Sequence, residues 1–319
     1  MWVDSPRKPD YDQSTKLGAA RLTADAETQR SAQGALRCQA SETLWFSATD
    51  DRVRRPGELS HGRICRVPPL GRVAAMFDHV AIRVADRFAC ERFYRTVLGT
   101  LGIEPSYAGA DMIEWDDFSI VAADADRPPT RHLHLAFVAP SREHVDAFWQ
   151  AGVDAGYDDD GGPGERTQYK PDYYGAFLLD PDGNSAEAVH HGDIRRGSHI
   201  DHLWIRVRDL DAAEAFYATI ACHTGLREGR RWDGGRQFRG AWATFSLVYD
   251  STPATEHLHM AFSAPDRPTV EDFYQAATAA GYRSNGAPGE RQKHHAGYYA
   301  AYVLDPDGTN VESVFHEPR

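Results

Sequence analysis

The 319-residue sequence has little cysteine, no long apolar run and no excess of positive charge. Each shortage excludes something. The four cysteines, Cys38, Cys65, Cys90 and Cys222, are scattered without CxxC spacing. They form neither a zinc knuckle nor a disulfide framework, and they suit a reducing cytoplasm. A mean hydropathy of −0.56 with no long apolar run excludes a transmembrane helix. No charged start followed by an apolar stretch marks a secretory signal. The formal net charge is −12. Residues 1–75 hold 12 Lys+Arg and 9 Asp+Glu, a balance of +3, so the remainder carries −15. An acidic body lacks the clustered Lys and Arg that phosphate contacts need, so nucleic acid is not an expected partner.

Residues 1–75 are also poor in Ile, Val and Phe and show no useful helical or strand periodicity. Such a stretch buries too little apolar surface to offset its chain entropy and is expected to be disordered or a non-native extension. Met76 stands directly before the first strong strand pattern, Phe77 to Val84, and is a candidate start. Acidic residues such as Asp4, Asp10, Asp12 and Asp25 argue against a transit peptide.

What the chain does have is an internal repeat. "FDHVAIRVAD" at 77–86 recurs as "IDHLWIRVRD" at 200–209, and "RHLHLAFVAP" at 131–140 as "EHLHMAFSAP" at 256–265. "PGER" at 163–166 recurs at 288–291, and "YYGAFLLDPDGNSAEAV" at 173–189 as "YYAAYVLDPDGTNVESV" at 298–314. The offset is 123 residues for the first block and 125 for the others. Repeats this long and collinear mean duplicated domains, here 76–191 and 199–316, joined by a Gly- and Arg-rich linker near His191 to Ser198. Each copy divides again into strand, helix and short strands. Helices are expected around Arg87–Leu101, 141–155, Leu210–Thr219 and Thr269–Ala280, with Ser141 and Asp266 as N-cap candidates. "DPDG" at 180–183 and 305–308 reads as a turn between strands.

Strand alternation sorts the histidines. Val80, Ile82 and Val84 share a face suited to packing, and His79, Ala81 and Arg83 face opposite. Leu203, Ile205 and Val207 pack while His202, Trp204 and Arg206 face opposite. Leu135 and Phe137 oppose His134, and Met260 and Phe262 oppose His259. His132 and His257 lie two residues before His134 and His259 on the same nominal face, so the strand pattern alone leaves either member of each pair available.

"DHVAIRV", "FYRTVLG", "HLAF" and "LDPDGNSAEAV" resemble the vicinal oxygen chelate superfamily, which includes glyoxalase I, fosfomycin-resistance enzymes, extradiol dioxygenases and bleomycin-binding proteins. The resemblance covers essentially all of 77–316. It implies an α+β fold of paired βαβββ modules, four in all, whose curled sheets form cups around a divalent metal. Carried over by motif, the ligands fall on His79, His134 and Glu187 in the first domain and His202, His259 and Glu312 in the second. The spacings agree between copies: 55 and 57 residues between histidines, then 53 and 53 to the glutamate. Two imidazoles and a carboxylate suit Fe(II), the favoured ion, or Mn, Ni or Zn, and describe the facial triad of non-haem iron oxygenases. Open positions let substrate oxygens chelate the metal. A metal-free cup is the competing reading.

Glyoxalase-type members generally add a fourth ligand, a carboxylate on the last strand of the first module. "DFSIVAA" at 117–123 and "TFSLVYD" at 244–250 offer no central Glu, which leaves Asp124 and Asp250 at the strand ends as poor candidates. In the second domain, "HHAGYYAAYVLDPDGTNVE" at 294–312 resembles the extradiol signature. This resemblance implies His294 or His295 as acid–base residue and Tyr302 as hydrogen-bond donor to substrate, though Gln292, Lys293 and Ala301 depart from it. The first domain has Tyr169, Lys170 and Phe177 at the corresponding places. Arg166 and Arg291 follow Pro-Gly in both copies and are candidates to hold an anionic substrate group. Tyr173, Tyr174, Tyr298 and Tyr299 cannot all line the cup, because alternate residues must face the packed side.

The resulting expectation is a cytoplasmic metal-dependent enzyme on a small oxygenated organic substrate, a dioxygenase with its main site in the second domain. A glyoxalase-like lyase or isomerase, a fosfomycin-resistance-like thiol transferase and a non-catalytic drug-binding protein are the alternatives. No membrane partner is expected, and the chain is a monomer of tandem domains or a homodimer.

Overall fold

The alternation of apolar residues in "FDHVAIRV" and "IDHLWIR" becomes real strands, each with one buried face. Val80, Ile82, Leu203 and Ile205 are almost completely enclosed. A computed structural model describes residues 76–192, 197–241 and 243–318, all within one compact unit. The expected disorder of 1–75 lies outside the described residues.

Four βαβββ modules follow one another. The first is β1 (Phe77–Val84), α1 (Arg87–Gly99), β2 (Tyr107–Ala108), β3 (Met112–Trp115) and β4 (Phe118–Ala122). The second is β5 (His134–Val138), α2 (Arg142–Asp154), β6 (Asp159–Glu165), β7 (Tyr174–Leu179) and β8 (Ser185–His190). The third is β9 (Ile200–Arg206), α3 (Leu210–Thr224), β10 (Arg227–Trp232), β11 (Gly235–Arg239) and β12 (Thr244–Val248). The fourth is β13 (His259–Ser263), α4 (Arg267–Ala279), β14 (Arg283–Glu290), β15 (Tyr298–Leu304) and β16 (Asn310–His316). Helix α3 runs five residues past the expected Thr219 and stops at Gly225, whose φ of 70° is the left-handed conformation glycine adopts without a Cβ clash. Asp266 caps α4 by accepting from the Thr269 N–H, whereas Ser141 makes no such bond to the backbone of α2. Among the described residues, no helix is long and apolar enough to cross a membrane.

The modules pair in an order that the repeat does not suggest. One eight-stranded sheet runs β14-β15-β16-β13-β1-β4-β3-β2, and the other β10-β11-β12-β9-β5-β8-β7-β6. The first therefore joins the fourth module to the first, and the second joins the third to the second. Each sequence repeat contributes half of each sheet. At both joints the first strands of two modules meet antiparallel, β1 with β13 and β5 with β9.

Within a repeat the halves are held by apolar packing. Tyr94 on α1 contacts Phe118 of one sheet at 4.8 Å and Phe137 of the other at 6.4 Å between ring centroids. Tyr217 on α3 contacts Phe245 of its own module at 4.7 Å. Burying each such aromatic contributes about 2 kcal/mol. The hydroxyls of these two tyrosines donate to Asp180 and Asp305, each at 3.0 Å. Those carboxylates also accept backbone N–H groups of their own DPDG turns, from Asp182 and Asn184 and from Asp307 and Thr309. The turns that launch β8 and β16 are thereby tied to the first helix of the same repeat.

Where one half-sheet passes to the next, the two linkers clasp each other. Arg131 and Glu256 form an antiparallel bridge, Thr130 Oγ1 donates to the His257 carbonyl at 3.0 Å, and Thr255 Oγ1 donates to that of His132 at 2.9 Å. His132 and His257 hold φ values of 59° and 56°. This left-handed backbone interrupts strand alternation just before β5 and β13.

Two candidate metal centres

Strand pairing brings six side chains into two groups. In the first sheet, Ala81 of β1 pairs with His259 of β13, and Ala261 of β13 pairs with both His79 and Glu312. This register puts His79, His259 and Glu312 on one face. His79 Nε2 lies 3.1 Å from His259 Nε2 and 3.8 Å from Glu312 Oε2, and His259 Nε2 lies 3.1 Å from the same oxygen. In the second sheet, Ala136 of β5 pairs with His202 of β9 and Glu187 of β8. His134 Nε2 lies 3.0 Å from Glu187 Oε2 and 3.2 Å from His202 Nε2, and His202 Nε2 lies 3.3 Å from Glu187 Oε2.

The grouping assigned from sequence is therefore corrected. His79 does not join His134 and Glu187, and His202 does not join His259 and Glu312. The correct groups are His79–His259–Glu312 and His134–Glu187–His202. In each, one module supplies a histidine and the glutamate from adjacent parallel strands, and a module of the other repeat supplies the second histidine. His132 and His257 belong to neither group, because their positive φ takes them off the strand. Asp124 and Asp250 are outside both groups as well. Asp124 is paired with Arg127, and Asp250 with Arg206.

The surroundings orient the donors. His79 Nδ1 donates to Asp78 at 2.9 Å and His202 Nδ1 to Asp201 at 3.0 Å, which aims each Nε2 at its centre. His259 Nδ1 lies 2.8 Å from Asn310 Nδ2 and 3.1 Å from the Asn310 carbonyl oxygen, and His134 Nδ1 lies 3.2 Å from Ser185 Oγ. Tyr298 donates to Glu312 Oε1 at 2.7 Å and Tyr173 to Glu187 Oε1 at 2.6 Å, so each carboxylate keeps Oε2 for the centre. The neighbours Tyr174 and Tyr299 turn to the helices instead, bonding Asp146 and Glu271. Asp78 and Asp201 were not singled out from sequence, although the repeated "DH" carries them, and of the four tyrosines named as possible cup-lining residues Tyr173 and Tyr298 are the ones that face the groups.

Electrostatically both groups are pre-set for a cation. Burial alone would raise the Glu187 carboxyl, but hydrogen bonds from His134 and His202 outweigh it and hold the group at about 2. Glu312 is likewise lowered against its burial by His259. His202 is pushed up to about 9, burial being outweighed by Asp201 and Glu187, while burial lowers His134. Two converging imidazoles, one ionised carboxylate and a proton-binding excess fit a divalent ion, which would take the place of the proton.

The two groups differ in access. A cavity of about 970 Å³ opens over His79, His259 and Glu312, and is also lined by His294, Tyr302 and Arg291. His294 stacks on Tyr298 at 4.7 Å. Burial, then Lys293, lowers the His294 pKa. Tyr302 is the register partner of Glu312. Burial, then Glu312, pushes its hydroxyl pKa up. His295 also lines this cavity but is engaged by His316 at 3.0 Å. Arg291 lies over Tyr302 at 5.3 Å. Arg166 lies over Phe177 at 5.5 Å and donates to the Gly162 carbonyl, beside the other group. Glu114 on β3, not on the last strand of the module where a fourth carboxylate was expected, also faces the cavity.

Paired βαβββ modules carrying two His–His–Glu groups define the class of protein. The profile of the Glyoxalase/Bleomycin resistance protein/Dioxygenase superfamily matches residues 76–188 and again 199–313, and the chain belongs to that superfamily. The uncharacterized protein YqjT of Bacillus subtilis (strain 168) is 27% identical over 122 residues, 35% of this chain and 95% of its own length. Among solved structures, a point mutant of glyoxalase I from Zea mays aligns with a TM-score of 0.56 at 18% identity, over 75% of this chain and 92% of that one. Unmutated glyoxalase I from Zea mays aligns with a TM-score of 0.52 over the same shares, also at 18% identity. Likeness at this level speaks for the fold.

Proposed function

We propose that the chain is a divalent-metal-dependent enzyme acting on a small oxygenated organic substrate bound over His79, His259 and Glu312, with extradiol-type dioxygenation as its reaction and Fe(II) as its ion. The observation that carries this reading is the shared cavity. His294 and Tyr302, which resemble the acid–base histidine and the hydrogen-bond-donor tyrosine of the extradiol signature, open into the same space as this triad. His79, His259 and Glu312 would hold the ion, which supplies Lewis-acid polarisation of substrate oxygens at its open positions. His294, with its pKa lowered by burial and Lys293, stays neutral at pH 7 and is fit to take a proton from a substrate hydroxyl. Tyr302 keeps its proton through the neutral range and donates to a substrate oxygen. Arg291 contributes positive charge for an anionic substituent.

One observation favours a second reading. Glu114 brings a further carboxylate to the cavity, and its pKa is raised, chiefly by burial. A carboxylate so placed suits proton abstraction in a glyoxalase-like lyase or isomerase using Mn, Ni or Zn. Both sheets are completed within one chain, which supports action as a monomer.

The test is metal analysis of protein purified without oxygen, followed by oxygen uptake on a catechol panel. Bound iron with catechol-dependent oxygen uptake is expected. Zinc, nickel or manganese with hemithioacetal turnover would replace this reading by the second. Failure to bind any ion after reconstitution would leave a small-molecule binding protein.

A further inference from the structure

We infer that the His134–Glu187–His202 group is a sealed, structural metal site, and that the chain has one reaction centre, not two. This rests on the reading that both groups take a divalent ion.

The argument is positional. The repeat offsets carry Ala81 onto Trp204, His294 onto Tyr169 and Tyr302 onto Phe177. At the His79 centre these places hold a methyl group, an imidazole and a phenol, and the cavity stands open. At the other centre they hold three large rings. The Trp204 ring lies 4.8 Å from His134 and 5.6 Å from His202, and Phe177 lies 5.8 Å from His134. Tyr169 closes against Trp204 at 5.8 Å and Tyr173 at 5.1 Å. The effect shows in the ligands. The side chains of His134 and His202 are 7% and 6% exposed, against 14% and 24% for His259 and His79.

Both sets keep the same donors and the same supporting carboxylate and tyrosine, so the capacity to hold an ion is retained where access for a substrate is closed. An ion behind this aromatic cover can take a water but has no room for a chelating organic molecule, and it must exchange slowly because a chelator cannot reach it. Its ligands come from β5 and β8 of one repeat and β9 of the other, so the ion would pin the joint between them.

The test loads the whole chain with Co(II) alone, challenges it with EDTA and follows cobalt per chain. Two ions are expected, one lost at least about tenfold more slowly than the other. The slow ion should be absent from His134→Ala and kept in His259→Ala, and Trp204→Ala should bring its loss close to the fast rate. If Trp204→Ala does not fold, the two ligand variants decide the question. Two ions lost at one rate, or a slow ion that disappears in His259→Ala, would overturn the sealed site and leave the metal reading standing. A single ion that His259→Ala removes would overturn it too. No bound Co(II) would bring down both readings.

Discussion

His79 and His259 stand 180 positions apart in the chain, and their Nε2 atoms are 3.1 Å apart. Two strands from different repeats, β1 and β13, pair antiparallel to bring this about. The pairing has consequences that separate it from any arrangement in which each repeat holds its own triad.

Double variants make the distinction. His79→Ala with His259→Ala strikes one centre twice and is expected to leave one ion per chain. His79→Ala with His134→Ala strikes both and is expected to leave none. Triads confined to single repeats would give the reverse, and metal analysis of the reconstituted variants decides.

Tyr298→Phe removes the hydroxyl that donates to Glu312 Oε1 at 2.7 Å and keeps the ring. Loss of such a supporting bond is expected to weaken ion binding at the open centre by about 10- to 100-fold. Stability of the metal-free protein should change by only about 1 kcal/mol. Metal titration and thermal unfolding of the apo protein measure the two effects separately.

Asp305 provides a pH test away from both centres. Burial outweighs its hydrogen bonds from Thr309 and Tyr217 and pushes its carboxyl from the ordinary 3.8 to about 6. Between these values the folded chain binds more protons than the unfolded one. This group's contribution is therefore fully present below about pH 4 and is lost as pH rises to about 6. A two-unit shift corresponds to about 3 kcal/mol. Relative to wild type, Asp305→Asn should gain stability as pH rises across this window, by up to that amount. Denaturant unfolding of both proteins at pH 4 and pH 7 gives the difference, and parallel curves would refute the assignment.

Gly152 in α2 packs directly under Leu178 of β7. A Cβ built at Gly152 would lie 2.3 Å from Leu178 Cδ1. Gly152→Ala therefore overfills a closed contact and is expected to cost about 1–3 kcal/mol, despite the better helix propensity of alanine. A companion Leu178→Val should recover part of the loss, measured by denaturant unfolding.

Much of this is legible in the sequence. The strand at Phe77–Val84 ends where the alternation ends, and β3 and β4 match the apolar stretches at Met112–Trp115 and Phe118–Ala122. The Asp-Pro-Asp-Gly turns sit where glycine can take positive φ, at Gly183 and Gly308. All six residues of the two groups were named from motif and face. That His134 and not His132 joins the group depends on a backbone φ that periodicity does not encode. Trp204 was visible as a departure from the repeat, but that it lies against His134 required the β5–β9 register.

Local pattern thus determined the modules and their apolar faces, because these follow from the alternation of side chains along single strands and from the repeat itself, while the candidate ligands were named by the family resemblance of the motifs. Tertiary structure decided which module pairs with which, and so which histidine meets which glutamate. The two repeats present nearly the same first strands, β1 and β9, so nothing within either strand distinguishes its partner. The choice rests on how the linkers at 123–133 and 249–258 cross and where the helices pack, and those are relations between residues far apart in the chain.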